Sequence, residues 1–289
     1  MTGVETSNWA ALVVIFDPGP EIRRCLKCLV DTDATEIIVW DNSPTSLASD
    51  LLAEEFPTVT FLGDGTNYGF GTANNLALAQ VEEAIRRVLL INPDCTIDQQ
   101  TVENLAHVLS TQADAAVATP NMVYGNGDPG IAGGPFPTIM KEVISVTGIG
   151  NLIPRSWRPL ALSLYSKIEA LRTGSNASYE ASGQGKDAII MDWTSGFCMF
   201  CSRDALEAVQ GFDERFFLYF EDVDLCKRLQ EAGYKVYLDR TSQAFHAEST
   251  STGPAGKGKH YRLGMSTYFD IHGTKWQRKA AREIERVLS

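Results

Sequence analysis

The stretch ALVVIFDPGP, residues 11–20, indicates the fold of this 289-residue chain. Its apolar start is typical of a buried strand in a parallel sheet, and Asp17-Pro18-Gly19-Pro20 forms a turn and a helix start. The same order recurs in EIIVWDNSP (residues 36–44) and VLLINPD (residues 88–94). Strands that alternate with helices in this way predict an α/β protein with a doubly wound, mostly parallel central sheet.

Polar side chains follow three of these strands at the point where each strand ends. They are Asp17, Asp41 with Asn42, and Asn92 with Asp94. Ligands of open α/β sheets bind beyond the carboxyl ends of the strands, so this pattern favours a binding site there. Ordinary Asx-rich turns would show the same residue types, and the pattern by itself leaves both interpretations open.

A second informative stretch is GFDERFFLYFEDVDLCKRL, residues 211–229, which combines five aromatic and five acidic residues. Aromatic side chains anchor such a segment in a core, and carboxylates above an apolar floor can have pKa values suited to proton abstraction. We interpret Glu221-Asp222 as the source of a catalytic base. The alternative is an amphipathic helix that simply begins with an acidic first turn.

The charge distribution argues against nucleic acid and leaves a membrane surface open as a partner. The net charge is −11, which disfavours a nucleic-acid partner for the chain as a whole. Residues 257–289 differ, with eight Lys or Arg residues against three acids. A basic tail on an acidic body suits contact with an anionic membrane, although a solvated helix is the commoner explanation.

Neither a signal peptide nor a membrane span is recognisable in the sequence. The N-terminus has no basic region, and the apolar runs fall short of the ~20 residues that a span needs. We therefore expect a soluble cytoplasmic protein that is at most peripheral to a membrane.

The six cysteines include two C-x-x-C pairs, which raises the question of a zinc site. Cys25 and Cys28 lie in a helical pattern on or near its buried stripe. Cys198 and Cys201 lie in a strand, where their odd separation sends the two side chains to opposite faces. We expect reduced, buried thiols rather than zinc ligands.

Seven motifs occur in an order that resembles the family 2 glycosyltransferases, and within them the rhamnosyltransferase-like branch. The motifs are VVIFDPG (13–19), DNSP (41–44), NYGFGTANN (67–75), LLINPD (89–94), WTSGFCMF (193–200), the stretch 211–229 and His246. Together they span roughly residues 10–250. The resemblance implies a GT-A fold, transfer with inversion from a nucleotide-diphosphate sugar, and a divalent metal, Mg²⁺ or Mn²⁺.

The resemblance also implies roles for single residues. Nucleotide and donor contacts fall on Phe16, Asp17, Asp41, Asn67, Gly69, Gly71, Asn92 and Asp94. Asp94 occupies the metal-binding position, where Asn92 replaces the first acid of the usual pair, and His246 completes the coordination. A structural histidine is the alternative for His246.

On the acceptor side, the resemblance makes Asp222 the general base and assigns Glu221 to the same catalytic pair, where it positions the acceptor or hydrogen-bonds the backbone. It places Trp193, Thr194 and Ser195 along the sugar pocket. A core tryptophan is nearly as good an explanation for Trp193.

The expected organisation is a GT-A domain over residues 1–256 followed by a basic helical segment over residues 257–289. The domain divides into a nucleotide-binding half, 1–120, and a smaller acceptor and catalytic half, 121–256, with an insert at 125–187 that serves as a lid, an acceptor platform or an oligomer contact. The sequence leaves the oligomeric state open.

The leading functional hypothesis is a transferase for cell-wall or surface polysaccharide synthesis. Rhamnose from dTDP-rhamnose is the first candidate donor by resemblance, and the acceptor is a saccharide or a polyprenyl-linked saccharide. Alternatives are a UDP-sugar-dependent transferase of the same family, a sugar-phosphate nucleotidylyltransferase and a non-catalytic sugar-nucleotide-binding protein. The nucleotidylyltransferase needs a basic glycine-rich loop, which the first turn, residues 17–20, lacks.

Overall fold

A nine-stranded mixed sheet forms the centre of the molecule. The computed structural model describes residues 8–142, 187–247 and 254–288. The sheet contains β1 (Trp9–Ile15), β2 (Glu36–Asp41), β3 (Thr60–Leu62), β4 (Arg87–Ile91), β5 (Cys95–Thr96), β6 (Ala115–Tyr124), β8 (Ala188–Met191), β10 (Cys198–Ser202) and β11 (Lys235–His246). A separate two-stranded sheet pairs β7 (Gly133–Gly134) with β9 (Trp193–Thr194).

Helices cover the sheet and extend the described chain to its end. They are α1 (Glu21–Val30), α2 (Leu47–Glu55), α3 (Gly69–Leu78), α4 (Gln99–Thr111), α5 (Arg203–Ala208), α6 (Glu221–Glu231), α7 (Pro254–His272) and α8 (Lys275–Leu288). None of the helices in the described ranges is long and apolar enough to cross a membrane.

The strand order is β3-β2-β1-β4-β10-β6-β11-β5, with β8 also paired to β11. Strands β3, β2, β1 and β4 are mutually parallel, as predicted. Strand β10 lies antiparallel between β4 and β6, and β5 and β8 are antiparallel to β11. Strand direction does not appear in a hydrophobic pattern, so the sequence predicted the strands here without their orientation.

The parallel half of the sheet brings the predicted polar strand ends to one edge. The backbone N–H of Asn42 donates to the carbonyl of Ile15 at 2.8 Å, which joins the ends of β2 and β1. The N–H of Asn92 donates to the carbonyl of Phe197 at 2.9 Å, which ties the end of β4 to the start of β10. The sheet edge is therefore the floor on which a ligand site can form.

Each face of the sheet carries its own apolar core. On β10, Cys198 and Phe200 pack on one face and Met199 and Cys201 on the other, so the predicted separation of the two cysteines is confirmed. All six cysteines are free thiols, and only Cys28 is less than fully buried. Burial raises the pKa of the Cys25 and Cys201 thiols well above the ordinary value, which keeps them protonated and unreactive.

A third apolar cluster joins the C-terminal helices to the acidic-aromatic stretch. Phe216 and Phe220 of that stretch pack with Met265 and Phe269 of α7 and with Ala281 of α8. The basic C-terminal segment is helical, as expected, and it packs directly on the acidic-aromatic stretch, residues 211–229.

Several predicted boundaries differ from the observed ones. The two strands expected at 235–238 and 243–246 are one strand, β11, with an irregularity between Asp239 and Gln243. The helix expected to continue to about Arg87 ends at Leu78. The greater part of the predicted insert, residues 143–186, lies outside the described residues, as do residues 249–253 of the loop predicted at 249–258. The loop prediction is wrong for residues 254–258, which begin α7.

Candidate active site

One cavity of about 360 Å³ brings together residues from both ends of the predicted site. Its lining includes Asn92 and His246 as well as Glu221 and Asp222. Trp193 also contributes to the lining. Residues more than 100 positions apart in the chain therefore share a single cleft.

Asp94 and His246 form a candidate cation site, and of these two residues His246 also lines the cavity. Asp94 is buried just beyond β4, and Nε2 of His246, at the end of β11, lies 3.2 Å from its Oδ1. The His246 ring packs near Tyr124 and Phe197, which fixes its orientation. A carboxylate oxygen and an imidazole nitrogen that meet at one point are a donor set that divalent ions such as Mn²⁺ accept.

Cys95 is a third potential ligand that the sequence analysis did not single out. Ligand atoms of Asp94, Cys95 and His246 all lie within 4.8 Å of one another. The only sequence signal would have been the position of Cys95 directly after Asp94. Burial, together with the Asp94 carboxylate, raises the pKa of this thiol well above the ordinary value, so it is a weaker ligand than the other two.

Asp222, which also lines the cavity, lies in the first turn of α6 with its carboxylate held in place. Its Oδ2 accepts a hydrogen bond from the backbone N–H of Gly196 at 3.0 Å, and its Oδ1 accepts one from the N–H of Val223 at 2.8 Å. Burial nevertheless raises its pKa above the ordinary carboxyl value. A carboxylate with a raised pKa is a stronger base than one in water.

Glu221 is buried beside Asp222 and carries an unsatisfied oxygen. Burial and, second, the charge of Asp222 raise the pKa of Glu221 well above the ordinary value. Its Oε2 has no hydrogen-bond partner among the described residues. Both carboxyl groups of this adjacent pair therefore have raised pKa values, and burial is the first cause in each case.

The backbone that leads into this pair is strained. Tyr219 and Phe220 have φ values of 69° and 71°, in the left-handed region that bulky side chains rarely adopt. Such residues each cost on the order of 1–3 kcal/mol and persist only where the surrounding structure holds them. Gly264 of α7 provides part of that hold, because a Cβ there would lie 2.3 Å from the carbonyl oxygen of Tyr219.

Helix α3 holds the start of the segment that leads into α6, at residues 212–217. The Asn75 side chain donates to the carbonyl of Phe212 at 2.8 Å and accepts from its N–H at 2.9 Å. The N–H of Phe70 donates to the carbonyl of Phe217 at 3.0 Å. The NYGFGTANN motif, residues 67–75, therefore supports the segment that leads to Asp222.

This packing gives Gly69 and Gly71 a role that differs from the expected one. A Cβ on Gly69 would lie 2.0 Å from the carbonyl oxygen of Phe217, and one on Gly71 would lie 2.9 Å from the Cβ of Phe212. The close approach that these glycines permit is to residues 212–217, and their contact with a nucleotide stays a prediction. Asn67 accepts a hydrogen bond from the N–H of Gly69 at 2.9 Å and so stabilises the turn.

Of the predicted nucleotide-binding residues at the ends of β1 and β2, Asp41 lines a second cavity of about 750 Å³, whereas Phe16 and Asp17 are not in its lining. Asp41 lines it, and its two oxygens already accept hydrogen bonds from the N–H of Ser43, at 2.8 Å, and the hydroxyl of Ser49. Phe16 is 42% exposed at the same edge, and Asp17 has a φ of 45° with its N–H donating to the Ser43 hydroxyl at 2.8 Å. Both carboxylate oxygens of Asp41 already accept a hydrogen bond within the protein. A nucleobase that donates to Asp41 must therefore bind the second lone pair of one of these oxygens.

The predicted sugar-pocket residues separate in the structure. Trp193 and Ser195 line the 360 Å³ cavity, and the Trp193 indole donates to the carbonyl of Pro135 at 2.9 Å. Thr194 is fully buried, and its hydroxyl donates to the carbonyl of Ala132 at 2.8 Å. Thr194 therefore anchors the backbone in the interior, while its neighbours Trp193 and Ser195 line the cavity.

Comparison with known proteins extends over nearly the whole chain, although no family model matches it. An N-acetylglucosaminyl-diphospho-decaprenol L-rhamnosyltransferase of Mycobacterium tuberculosis is 27% identical over 92% of this chain and 85% of its own length. The rhamnosyltransferase WbbL of Escherichia coli is 27% identical over 81% of each chain. A hexosyltransferase of low-salt glycan biosynthesis, Agl10 of Haloferax volcanii, is 21% identical over 73% of this chain.

Two solved structures share the fold at low sequence identity. GalNAc-T7, crystallised with UDP, GalNAc and Mn²⁺, is 10% identical with a TM-score of 0.60, and the match covers 96% of this chain but about half, 54%, of that chain. TarS 1–349 of S. aureus is 14% identical with a TM-score of 0.54, and the match covers 96% and 69% of the two chains.

The chain has the GT-A fold of these two solved structures, as the sequence predicted. The similarity to the two rhamnosyltransferases confirms the narrower resemblance, to the rhamnosyltransferase-like branch of the family 2 glycosyltransferases.

Proposed function

We propose that this chain is an inverting glycosyltransferase that moves a sugar, with rhamnose from dTDP-rhamnose as the first candidate, onto a lipid-linked saccharide for cell-wall or surface polysaccharide synthesis. The observation that carries the proposal is the shared cleft, which is lined by Asp222 and by His246, whose Nε2 lies 3.2 Å from Oδ1 of Asp94. The named activities of the two rhamnosyltransferase relatives support the choice of sugar and of acceptor class.

In this mechanism, Asp222 accepts the proton of the acceptor hydroxyl while the hydroxyl oxygen attacks the anomeric carbon. The bond from that carbon to the diphosphate oxygen breaks on the opposite face, so the configuration inverts and the nucleoside diphosphate leaves. The hydrogen bond from Gly196 keeps the Asp222 carboxylate aimed into the cleft during the transfer. A positioned base of this kind contributes about 10²–10⁴-fold in rate.

Asp94 and His246 would hold a divalent cation, and Asn92 lines the same cavity as His246. The buried Nδ1 of His246, which has no partner among the described residues, is available to a polar group of the bound state. A bound Mn²⁺ or Mg²⁺ supplies charge neutralisation for the departing diphosphate. Asp94 carries most of the ligand charge, because Asn92 stands where an acid would add a second negative charge.

The C-terminal helices offer a route to a membrane-bound acceptor. Trp276 of α8 is 52% exposed, and Lys275 and Lys279 are exposed near it. An exposed indole with neighbouring lysines suits the headgroup region of an anionic bilayer. Helix α8 packs through Ala281 in the cluster that contains Phe220, and Phe220 also lines the cavity, so packed side chains connect this surface to the cleft.

Purified protein incubated with dTDP-rhamnose, or with UDP-linked sugars, tests the proposal directly. The acceptor is N-acetylglucosaminyl diphosphate on a short alkyl chain, chosen from the name of the mycobacterial relative. We expect Mn²⁺-stimulated transfer with an inverted anomeric centre, read by NMR. Turnover of only UDP-sugars would favour the other transferase of the same family, and binding without any turnover would favour a non-catalytic protein.

A further inference from the structure

A carboxylate and a phenol outside every sequence motif also line the catalytic cavity. Glu142 and Tyr261 both contribute to its wall, and the Tyr261 hydroxyl donates to Oε2 of Glu142 at 2.7 Å. Glu142 is only 7% exposed and lies one helical turn after Thr138, while Tyr261 belongs to α7. Two segments more than 100 residues apart thus meet in the wall of the cleft.

Tyr261 is fixed relative to the catalytic pair through aromatic contacts. Its ring centroid lies 5.8 Å from that of Tyr219 and 5.1 Å from that of Phe220. These are the two residues with left-handed backbone that directly precede Glu221. The position of the phenol is therefore coupled to the segment that aims Asp222.

The chemistry of this wall suits a neutral sugar ring better than a phosphate. Burial raises the pKa of Glu142, and the hydrogen bond from Tyr261 opposes that shift by favouring the charged form. A carboxylate repels a diphosphate, so the pair is a poor neighbour for the leaving group of the donor. Carboxylate and phenol oxygens can instead exchange hydrogen bonds with adjacent sugar hydroxyls, while Trp193 and Tyr219 offer ring surfaces to the C–H faces.

We propose that Glu142 and Tyr261 form a subsite that determines acceptor specificity by binding neighbouring hydroxyls of the acceptor pyranose, whose reactive hydroxyl then faces Asp222. This inference rests on the proposed function and deepens it. The two residues are positioning residues, because they hold the acceptor and take no part in the transfer of the proton.

The test measures the steady-state kinetics of Tyr261→Phe and Glu142→Gln with dTDP-rhamnose and the alkyl-diphosphate acceptor. We expect the KM for the acceptor to rise about tenfold, as for the loss of one buried hydrogen bond, with kcat within about twofold of the wild type. Donor hydrolysis without acceptor should stay unchanged in both variants, which also shows that they are folded.

Tyr237→Phe is the matched control, because its hydroxyl donates to Oδ1 of Asp114 at 2.8 Å in an equivalent phenol–carboxylate pair that is not part of the cavity wall. This variant should keep the wild-type KM for the acceptor. If Tyr261→Phe fails to fold, Glu142→Gln alone decides, since it preserves the size of the side chain.

An unchanged acceptor KM in the folded variants would overturn the inference, and so would a loss confined to donor KM or donor hydrolysis. Wild-type protein that hydrolyses the donor but never transfers to this acceptor would overturn the assignment to an acceptor of this class. Wild-type protein that neither hydrolyses nor transfers any donor would instead count against the proposed function itself.

Discussion

The backbone N–H of Gly196 donates a hydrogen bond to Oδ2 of Asp222 at 3.0 Å and so joins the loop after β9 to the first turn of α6. Gly196 is itself confined, because a Cβ there would lie 2.8 Å from the ring of Phe70 in α3. The proposed base is therefore oriented by three separate parts of the chain. An unliganded carboxylate held in this way is already arranged for proton transfer.

Replacement of that carboxylate is the first prediction. Asp222→Asn should lower kcat by roughly 10²–10⁴-fold with little change in the KM for the donor, because the amide keeps an oxygen for Gly196 but cannot accept the proton. Asp213→Asn is the control, since Asp213 lies in the same stretch, pairs with Arg215 and does not line the cavity. Equal transfer rates for wild type and Asp222→Asn would refute the assignment of the base.

The pH dependence of transfer follows from the ionisation of Asp222. Asp222 can accept a proton only when it is ionised. The transfer activity should therefore be low at acidic pH and rise as the pH passes through the pKa of Asp222. Burial raises that pKa, which places the acid limb at a higher pH than an ordinary carboxyl group would give. A profile of kcat/KM against pH measures the limb, and an acid limb at or below about pH 4 would contradict the raised pKa.

The sequence predicted the strand ends and the acidic-aromatic stretch because both depend on local patterns. An apolar run followed by Asx residues marks the carboxyl end of a buried strand wherever it occurs, and Asp41 and Asn92 lie at such ends in the structure. The parallel half of the sheet then brings these residues to one edge without any further information. The resemblance supplied the roles, which stay predictions, and the structure places His246 and Asp222 in the lining of one cavity.

The features that the sequence did not reveal depend on contacts between distant segments. The space beside Gly69 is filled by the carbonyl of Phe217, almost 150 residues away, so the sequence could not distinguish a nucleotide contact from loop packing. Tyr261 looked like part of a basic tail because nothing local places it beside Glu142. The antiparallel course of β10 is a property of the sheet and leaves no mark on its five residues.

Burial of Glu221 should lower the free energy of unfolding at pH values above the ordinary carboxyl pKa. Its raised pKa means that the folded state binds a proton more tightly than the unfolded state does, so stability falls as pH rises from the ordinary carboxyl pKa towards the raised one. Glu221→Gln removes that cost and should melt at a higher temperature than the wild type near pH 8, with little difference near about pH 4. Thermal unfolding at both pH values provides the measurement, and a variant that is less stable at the higher pH would refute the argument.

Contact of α8 with an anionic membrane is the next prediction. Trp276→Ala and a Lys275→Ala, Lys279→Ala double variant should each reduce co-sedimentation with vesicles rich in phosphatidylglycerol, because they remove an interfacial anchor and about 1 kcal/mol of attraction per lysine. Binding by the lysines should also weaken with added salt. Leu51→Ala in α2 serves as the control, since Leu51 is about as exposed as Trp276 but lies in the nucleotide-binding half. Equal sedimentation with neutral phosphatidylcholine vesicles would argue against an electrostatic contact.

The proposed cation site makes the last prediction, because Asp94 and His246 should act together on one ion. Mn²⁺ should raise the melting temperature of the wild type by mass action, and Asp94→Asn and His246→Ala should each abolish that shift. Donor hydrolysis should then lose its dependence on Mn²⁺ in both variants, and a chelator should reduce the wild type to the same level. His107→Ala provides the matched control, since His107 is exposed on α4 and does not line the cavity. A wild-type melting temperature that does not respond to Mn²⁺, Mg²⁺ or the chelator would show that the 3.2 Å contact between Asp94 and His246 is an ordinary structural hydrogen bond.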